Sequence, residues 1–214
     1  GGNATAEVIR AAGGEAIVVK ADVSVEDDVE KLVDAHLKAF GGLDIMVANA
    51  GIGRNAKLSE MATVVWEEVI RTNLYGPFFC ARRAAQEMIK QGRGGRIITI
   101  SSVHEEAPGV GGGAYCVSKG GLRNLMRSLA VELGPHHITV NGIAPGMTVT
   151  PLNSGIFTDL EERERRADQV VMREAGYPKD IAAMATFLAS DAASYVTGAT
   201  HFVDGGWMLT WPPV

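Results

Sequence analysis

The sequence is poor in the features that mark special architectures. It has two cysteines, Cys80 and Cys116, among 214 residues, and only 6% aromatics. Both cysteines fall in stretches that read as helix, which suits buried thiols in a reducing, cytoplasmic compartment better than a disulfide framework. No apolar run approaches the roughly 18 residues that a spanning helix requires. No charged-then-apolar leader opens the chain, so neither membrane insertion nor secretion is expected. There is also no basic surplus: 25 acidic side chains face 20 basic ones, for a net charge of −5. Lys and Arg are scattered rather than gathered into a stripe, which excludes a phosphate-backbone binder. The opening Gly1-Gly2-Asn3 has no Met, and the natural N-terminus is expected to lie upstream of it.

Glycine is what the chain has in excess, at 26 residues, or roughly 12% against a usual 7%. The glycines lack a three-residue period, and Val, Ile, Leu and Phe are plentiful, so neither collagen nor a disordered linker is indicated. A chain of this length builds one domain, or at most two, without a metal or disulfide staple.

The glycines punctuate a repeated grammar. Asn3 is expected to cap a helix to about Ala12, Gly13-Gly14 ends it, and Ala16 to Val19 is an apolar run of strand length. Ser24 with Asp27 resembles a capping box for a helix to Phe40, which Gly41-Gly42 stops before a strand from Leu43 to Ala48. A long helical stretch from about Thr63 to Gln91 precedes the Gly92 to Gly95 breaker and a strand from Arg96 to Ile100. A helix from Ala114 to Leu133, a strand from Ile138 to Ile143, a helix from Lys179 to Ser190 and a last strand from Thr200 to Val203 follow. Unbroken apolar strands alternating with helices predict a parallel sheet covered on both faces. Residues 146–176 break the pattern. This insert carries the run Glu161-Glu162-Arg163-Glu164-Arg165-Arg166, which reads as a solvated helix with internal ion pairs, and its place after a strand also suits a lid.

In such a sheet ligands bind beyond the carboxyl ends of the strands. Small or polar residues stand at all four expected ends: Asp22-Val23, Asn49-Ala50-Gly51, Ser101-Ser102 and Pro145-Gly146. Tyr115 and Lys119 lie four apart, on one face of a helix. An ammonium beside a phenol favours the phenolate, which predicts a lowered tyrosine pKa and proton exchange near neutral pH. Ser102 precedes Tyr115 by a Gly-rich loop that can fold its hydroxyl back toward the helix start. Ser101 is read as the residue that could point into the sheet, and Ser118 as a helix-surface residue. A serine hydrolase is disfavoured, because no G-x-S-x-G elbow surrounds any serine and His104 has no acidic partner in the right order.

Taken in order, Asn49-Ala50-Gly51, Asn73-Leu74, Ser102, Tyr115-x-x-x-Lys119 and Pro145-Gly146 resemble the short-chain dehydrogenase/reductase family over essentially the whole chain. Ser101-Ser102-Val103-His104-Glu105, Tyr195-Val196-Thr197-Gly198 and Asp204-Gly205-Gly206 resemble the bacterial glucose 1-dehydrogenases within it. The resemblance implies a single dinucleotide-binding and catalytic domain over 1–214, of Rossmann-type doubly wound α/β fold, with 146–176 as a substrate lid. It implies Tyr115 as general acid/base and Lys119 as the group that lowers its pKa and holds the nicotinamide ribose. Ser102 would bind the substrate oxygen. Asn73 would kink its helix and hold a water linking Lys119 to solvent. Asp22 and Val23 would meet adenine, Asn49, Ala50 and Gly51 the adenosine ribose, and Pro145, Gly146, Thr148 and Thr150 the nicotinamide. His104, Glu105 and Asn153 would flank the substrate.

The implied activity is hydride transfer between NAD or NADP and a secondary alcohol or carbonyl, such as a sugar or polyol. A 3-oxoacyl-thioester reductase is the alternative enzyme, and a catalytically silent scaffold is the alternative for a naturally short chain. The apolar and aromatic Leu74, Phe78, Phe79 and the tail from Trp207 to Pro213 imply a homotetramer. Two departures stand out. Ala48 occupies a position where the family often has a second Asn. The family's T-G-x-x-x-G-x-G phosphate loop, with its strand-helix-strand unit, is missing from this sequence and would precede Gly1. The 214 residues are therefore expected to be a truncated record, with the Ile17 strand lacking a partner and the Leu43 strand exposing an apolar edge.

Overall fold

The computed structural model describes residues 1–150 and 160–210. Helices α1 (Gly2–Ala11) and α2 (Glu26–Phe40) precede strand β1 (Ile45–Ala48). Helix α3 (Thr63–Ile70), a π-helical turn (Arg71–Tyr75) and α4 (Gly76–Gln91) lead to β2 (Gly95–Ile100), and α5 (Gly113–Leu133) leads to β3 (Ile138–Pro145). Helices α6 (Leu160–Ala167) and α7 (Pro178–Ala189) and strand β4 (Thr200–Val203) complete the order.

The four strands form one parallel sheet in the order β1-β2-β3-β4. Its register sets Ile45 beside Arg96, Ile97 beside Val140, and Ile143 beside His201. Parallel neighbours need crossovers, and the helices supply them on both faces. Alternation along β2 sends Ile97 to one side and Ile98 to the other. Ile97 joins Val140, Met88 of α4 and Met126 of α5 in the larger core. Ile98 joins Ile143, Leu188 and Met184 under α7. The parallel sheet covered on both faces, as read from the apolar runs, is thus observed.

Several local expectations are corrected. Residues 16–19 form no strand, and the Ile17 segment lacks a partner as expected, with Ile17 and Val18 43% and 48% exposed. A strand exists only where a neighbour takes up its backbone groups, and among the described residues none lies outside β1. Ile45 and Val47 on that edge are correspondingly 44% and 45% exposed. Asn3 lies inside α1 rather than capping it, the N-cap being Gly1. Ser24 does not cap α2 either. Asp22 organises that turn instead: its Oδ1 accepts from Ser24 N at 2.9 Å, and its own amide donates to Asp28 Oδ2 at 3.1 Å. The expected helical stretch 63–91 is observed without interruption as α3, the π-turn and α4, and the π-turn holds Asn73. Among the described residues, no helix is long and apolar enough to cross a membrane.

Candidate active site

A cavity of about 820 Å³ opens at the carboxyl ends of β1, β2 and β3. It gathers nearly every candidate that the sequence offers. Asp22 and Val23 line it from the turn before α2, and Asn49, Ala50 and Gly51 from the segment after β1. Ser102 lines it beyond β2, Tyr115 and Lys119 from α5, and Pro145, Gly146, Thr148 and Thr150 beyond β3. Ala21, Ile52, Thr72, Ile100 and Ser101 also face it. Of these, Ser101 carries a sequence signal, since it stands at a strand end, and the sequence leaves open that it points into the sheet. Its hydroxyl is buried and has no hydrogen-bond partner. Asn153 lies outside the described residues.

Helix α5 delivers Tyr115 and Lys119 because its buried face runs through Ser118, Lys119 and Leu122. Lys119 is 4% exposed, and its Nζ donates to the Ile100 carbonyl at 2.8 Å, which anchors the amine to the end of β2. The same Nζ stands 5.5 Å from the centre of the Tyr115 ring. Burial pulls the Lys119 pKa down to about 8, and the charge of Glu105 acts in the opposite sense.

The expected lowering of the tyrosine pKa is not seen. Burial pushes the Tyr115 phenol up from its ordinary value, and its hydrogen bond with Ser102 opposes this. The physical reason is that desolvation penalises the phenolate, while the ammonium spends a proton on Ile100 O. Ser102 sits at the end of β2 and caps the 3-10 turn Val103–Glu105, its Oγ accepting from His104 N at 3.2 Å.

Asn73 does not line the cavity; it braces the cavity from behind. It is fully buried, its Oδ1 accepts from Ile52 N at 2.8 Å, and its Nδ2 donates to Ile52 O at 2.8 Å. The Nδ2 also reaches Ser118 Oγ at 3.2 Å, and that hydroxyl donates to Tyr115 O at 2.7 Å. Ser118 is therefore fully buried rather than on the helix surface, the second correction at this site. Gly51 packs beside both: a Cβ there would lie 3.4 Å from Asn73 Oδ1 and 3.7 Å from Lys119 Nζ.

His104 stands at the margin rather than in the cavity wall. Its ring meets Tyr115 edge-on at 6.1 Å and Trp207 at 5.8 Å, and its Nδ1 lies 2.6 Å from Ala107 O. A nitrogen so close to a carbonyl carries the proton. Glu105 is buried behind the pair rather than flanking a substrate position.

A hydroxyl, a phenol and an amine thus converge in one water-sized-to-cofactor-sized space at a sheet edge, an arrangement able to bind an oxygen and move its proton. The family model described as enoyl-(acyl carrier protein) reductase matches residues 2–208. The chain is 44% identical over 201 residues to L-rhamnose 1-dehydrogenase (NAD(P)(+)) of Azotobacter vinelandii, covering 94% of this chain and 78% of that one. It is 41% identical over 211 residues to glucose 1-dehydrogenase 2 of Bacillus subtilis, covering 98% and 81%. Among solved structures, a gluconate 5-dehydrogenase from Burkholderia cenocepacia in complex with NADP and tartrate superimposes with a TM-score of 0.90. That likeness has 32% identity and covers 96% of this chain and 80% of the other. On the agreement of sequence, fold and site, the chain belongs to the short-chain dehydrogenase/reductase family of oxidoreductases.

Proposed function

We propose that this chain interconverts a secondary alcohol of a sugar or polyol and its carbonyl, using NAD or NADP. The observation that carries the reading is the meeting of Ser102, Tyr115 and Lys119 in one cavity of about 820 Å³, with the lysine fixed on Ile100 O. The cavity suits a dinucleotide by size and by lining. Small residues line it at Ala50, Gly51, Ser101 and Gly146, which leaves room for a flat ligand along the sheet edge. Asp22 and Val23 would hold the adenine end, Asn49, Ala50 and Gly51 the adenosine ribose, and Pro145, Gly146, Thr148 and Thr150 the nicotinamide. When bound, the nicotinamide supplies or accepts the hydride.

Ser102 donates to the substrate oxygen and holds it beside the phenol. Tyr115 gives that oxygen a proton in reduction and takes it in oxidation, while the Lys119 ammonium stabilises the phenolate as it forms. The side chain of Asn73 is committed to Ile52 and Ser118. Its part in this scheme is to fix the cavity wall, and a water at the π-turn would link Lys119 to solvent. The insert 146–176 serves as the lid. The pairing of Thr148 with Gly176 ties its two ends together at the cavity mouth, with Val149 N donating to Gly176 O at 2.9 Å. His104 and Asn153 would contact the substrate. A homotetramer formed through α4, α5 and the C-terminal segment agrees with the exposure of Phe78, Val117 and Val131, and light scattering tests it.

The description of the matching family model favours one second reading, reduction of an oxoacyl thioester. A panel of sugars, polyols and a 3-oxoacyl thioester, run with NAD(H) and NADP(H), separates the two. Tyr115→Phe is expected to abolish turnover of the best substrate while binding of the reduced cofactor, followed by fluorescence, persists. Turnover retained in that variant overturns the assignment.

A further inference from the structure

Behind the Tyr115–Lys119 pair lies a buried carboxylate to which the proposed chemistry gives no task. Glu105 ends the 3-10 turn that Ser102 caps, and its side chain has 0% exposure. Neither of its carboxylate oxygens has a hydrogen-bond partner. Such a group is costly unless positive charge stands close. The turn lies against α5 at Gly120, where a Cβ would come 3.6 Å from the Glu105 carbonyl oxygen. Lys119 and Arg123 flank that contact, one helical turn apart on the same face. Arg123 Nε is 3.6 Å from Glu105 Oε1, too far for a hydrogen bond, because the guanidinium pairs through Nη2 with Glu106 at 2.7 Å.

We propose that Glu105 is a positioning residue: its buried carboxylate, 3.6 Å from Arg123 on a turn that packs against α5 at Gly120, keeps the neighbouring Lys119 ammonium charged inside the cavity wall. Arg123 tempers that effect by sharing the anion. The inference rests on the reading of Tyr115 and Lys119 as the proton-handling pair. The other groups around Lys119 do not replace Glu105. Asp22 lines the same cavity and turns its carboxylate to Ser24, and His104 is engaged with Ala107. On the π-turn Arg71 is exposed over the Tyr75 ring. On α3 Glu67 is exposed and Glu68 pairs with Arg54, and on α4 Arg83 is held by Glu30 and Asp34. Strand β3 carries no charged residue. Burial and the Glu105 charge pull the Lys119 pKa in opposite directions.

The test reads the amine directly, by a 13C NMR titration of protein labelled at lysine Cε, with the Lys119 signal identified by its loss in Lys119→Met. Glu105→Gln is expected to lower the Lys119 midpoint by about one pH unit, the usual scale for a single nearby charge. Glu105→Asp, which keeps the charge, restores most of the shift, and Arg123→Gln moves the midpoint up. The alkaline limb of kcat/KM for alcohol oxidation follows the same directions. If Glu105→Gln does not fold, Glu105→Asp and Arg123→Gln carry the test through the sign of the Arg123 effect. A purely structural Glu105, or one that stays protonated throughout, leaves the midpoint of Lys119 in place in every variant, and that result overturns the proposal. Midpoints that move as stated in a protein that oxidises no alcohol support the placement of charge and refute only the functional reading.

Discussion

Asn73 holds Ile52 by both of its backbone groups, accepting from its amide and donating to its carbonyl, each at 2.8 Å. This pair joins the π-turn to the segment that follows β1, across 21 residues of sequence. The cavity wall at Gly51 and Ile52 is therefore fixed by a side chain that does not face the cavity.

Asn73→Ala leaves the Ile52 groups and the Ser118 hydroxyl without their buried partner, at about 1–3 kcal/mol for an unsatisfied group. A loss of at least that size is expected in denaturant unfolding, with weaker cofactor binding. Asn73→Asp should be worse, because a carboxylate oxygen would then face the Ile52 carbonyl inside a fully buried site. An aspartate variant as stable as wild type would show that the clamp does not hold the wall.

Gly146 stands where β3 enters the cavity, and the chain beyond β4 passes directly over it. A Cβ there would fall 2.7 Å from Asp204 Cβ and 2.8 Å from Asp204 Cα. Asp204 cannot step aside cheaply, since its carboxylate accepts from Gly206 N and Met208 N, both at 2.9 Å. Gly146→Ala is expected to cost about 1–3 kcal/mol through overpacking and to raise the cofactor KM by displacing Thr148 and Thr150. Unchanged melting and unchanged KM together would contradict the close approach.

The outline of this site is legible in the sequence because its residues stand at the ends of apolar runs, and a parallel sheet puts those ends on one edge. Tyr115 and Lys119 follow from helical spacing, and Ser102 from its place after β2. What is not legible depends on contacts between distant segments. Nothing local to Ser118 shows that Asn73 will cover it. The rise in the Tyr115 pKa is not legible for the same reason: spacing gives the charge beside the phenol but not the depth of burial that outweighs it.

Ser101 and Ser102 are adjacent hydroxyls with opposite expected signatures. The Ser101 Oγ is buried without a partner, so Ser101→Ala removes an unsatisfied group and should leave the melting temperature unchanged or slightly raised. Because the hydroxyl is buried, cofactor and substrate binding are expected to change little in that variant. Ser102→Ala instead removes the acceptor of His104 N and the hydroxyl bonded to Tyr115. It should lower kcat by about 10²-fold or more, the scale for losing one transition-state donor, with a smaller loss in stability. Calorimetry and steady-state kinetics on the two alanine variants check the contrast.

Lys119 couples stability to pH with a definite sign. Its pKa falls from an ordinary 10.5 to about 8 in the folded protein. Below about 8 both states carry the ammonium, and the folded state bears the full cost of burying it. Between about 8 and 10.5 the folded state releases the proton that the unfolded chain still holds, so the Lys119 contribution to stability improves as pH rises. At roughly 1.4 kcal/mol per pH unit, the recovery amounts to at most about 3 kcal/mol. Lys119→Met removes this titration along with the proposed chemistry. The wild type is therefore expected to gain on the methionine variant as pH is raised from 7 to 10, measured by denaturant unfolding, although the variant loses turnover at every pH. Parallel stability profiles for the two proteins would mean that the amine is not penalised by burial.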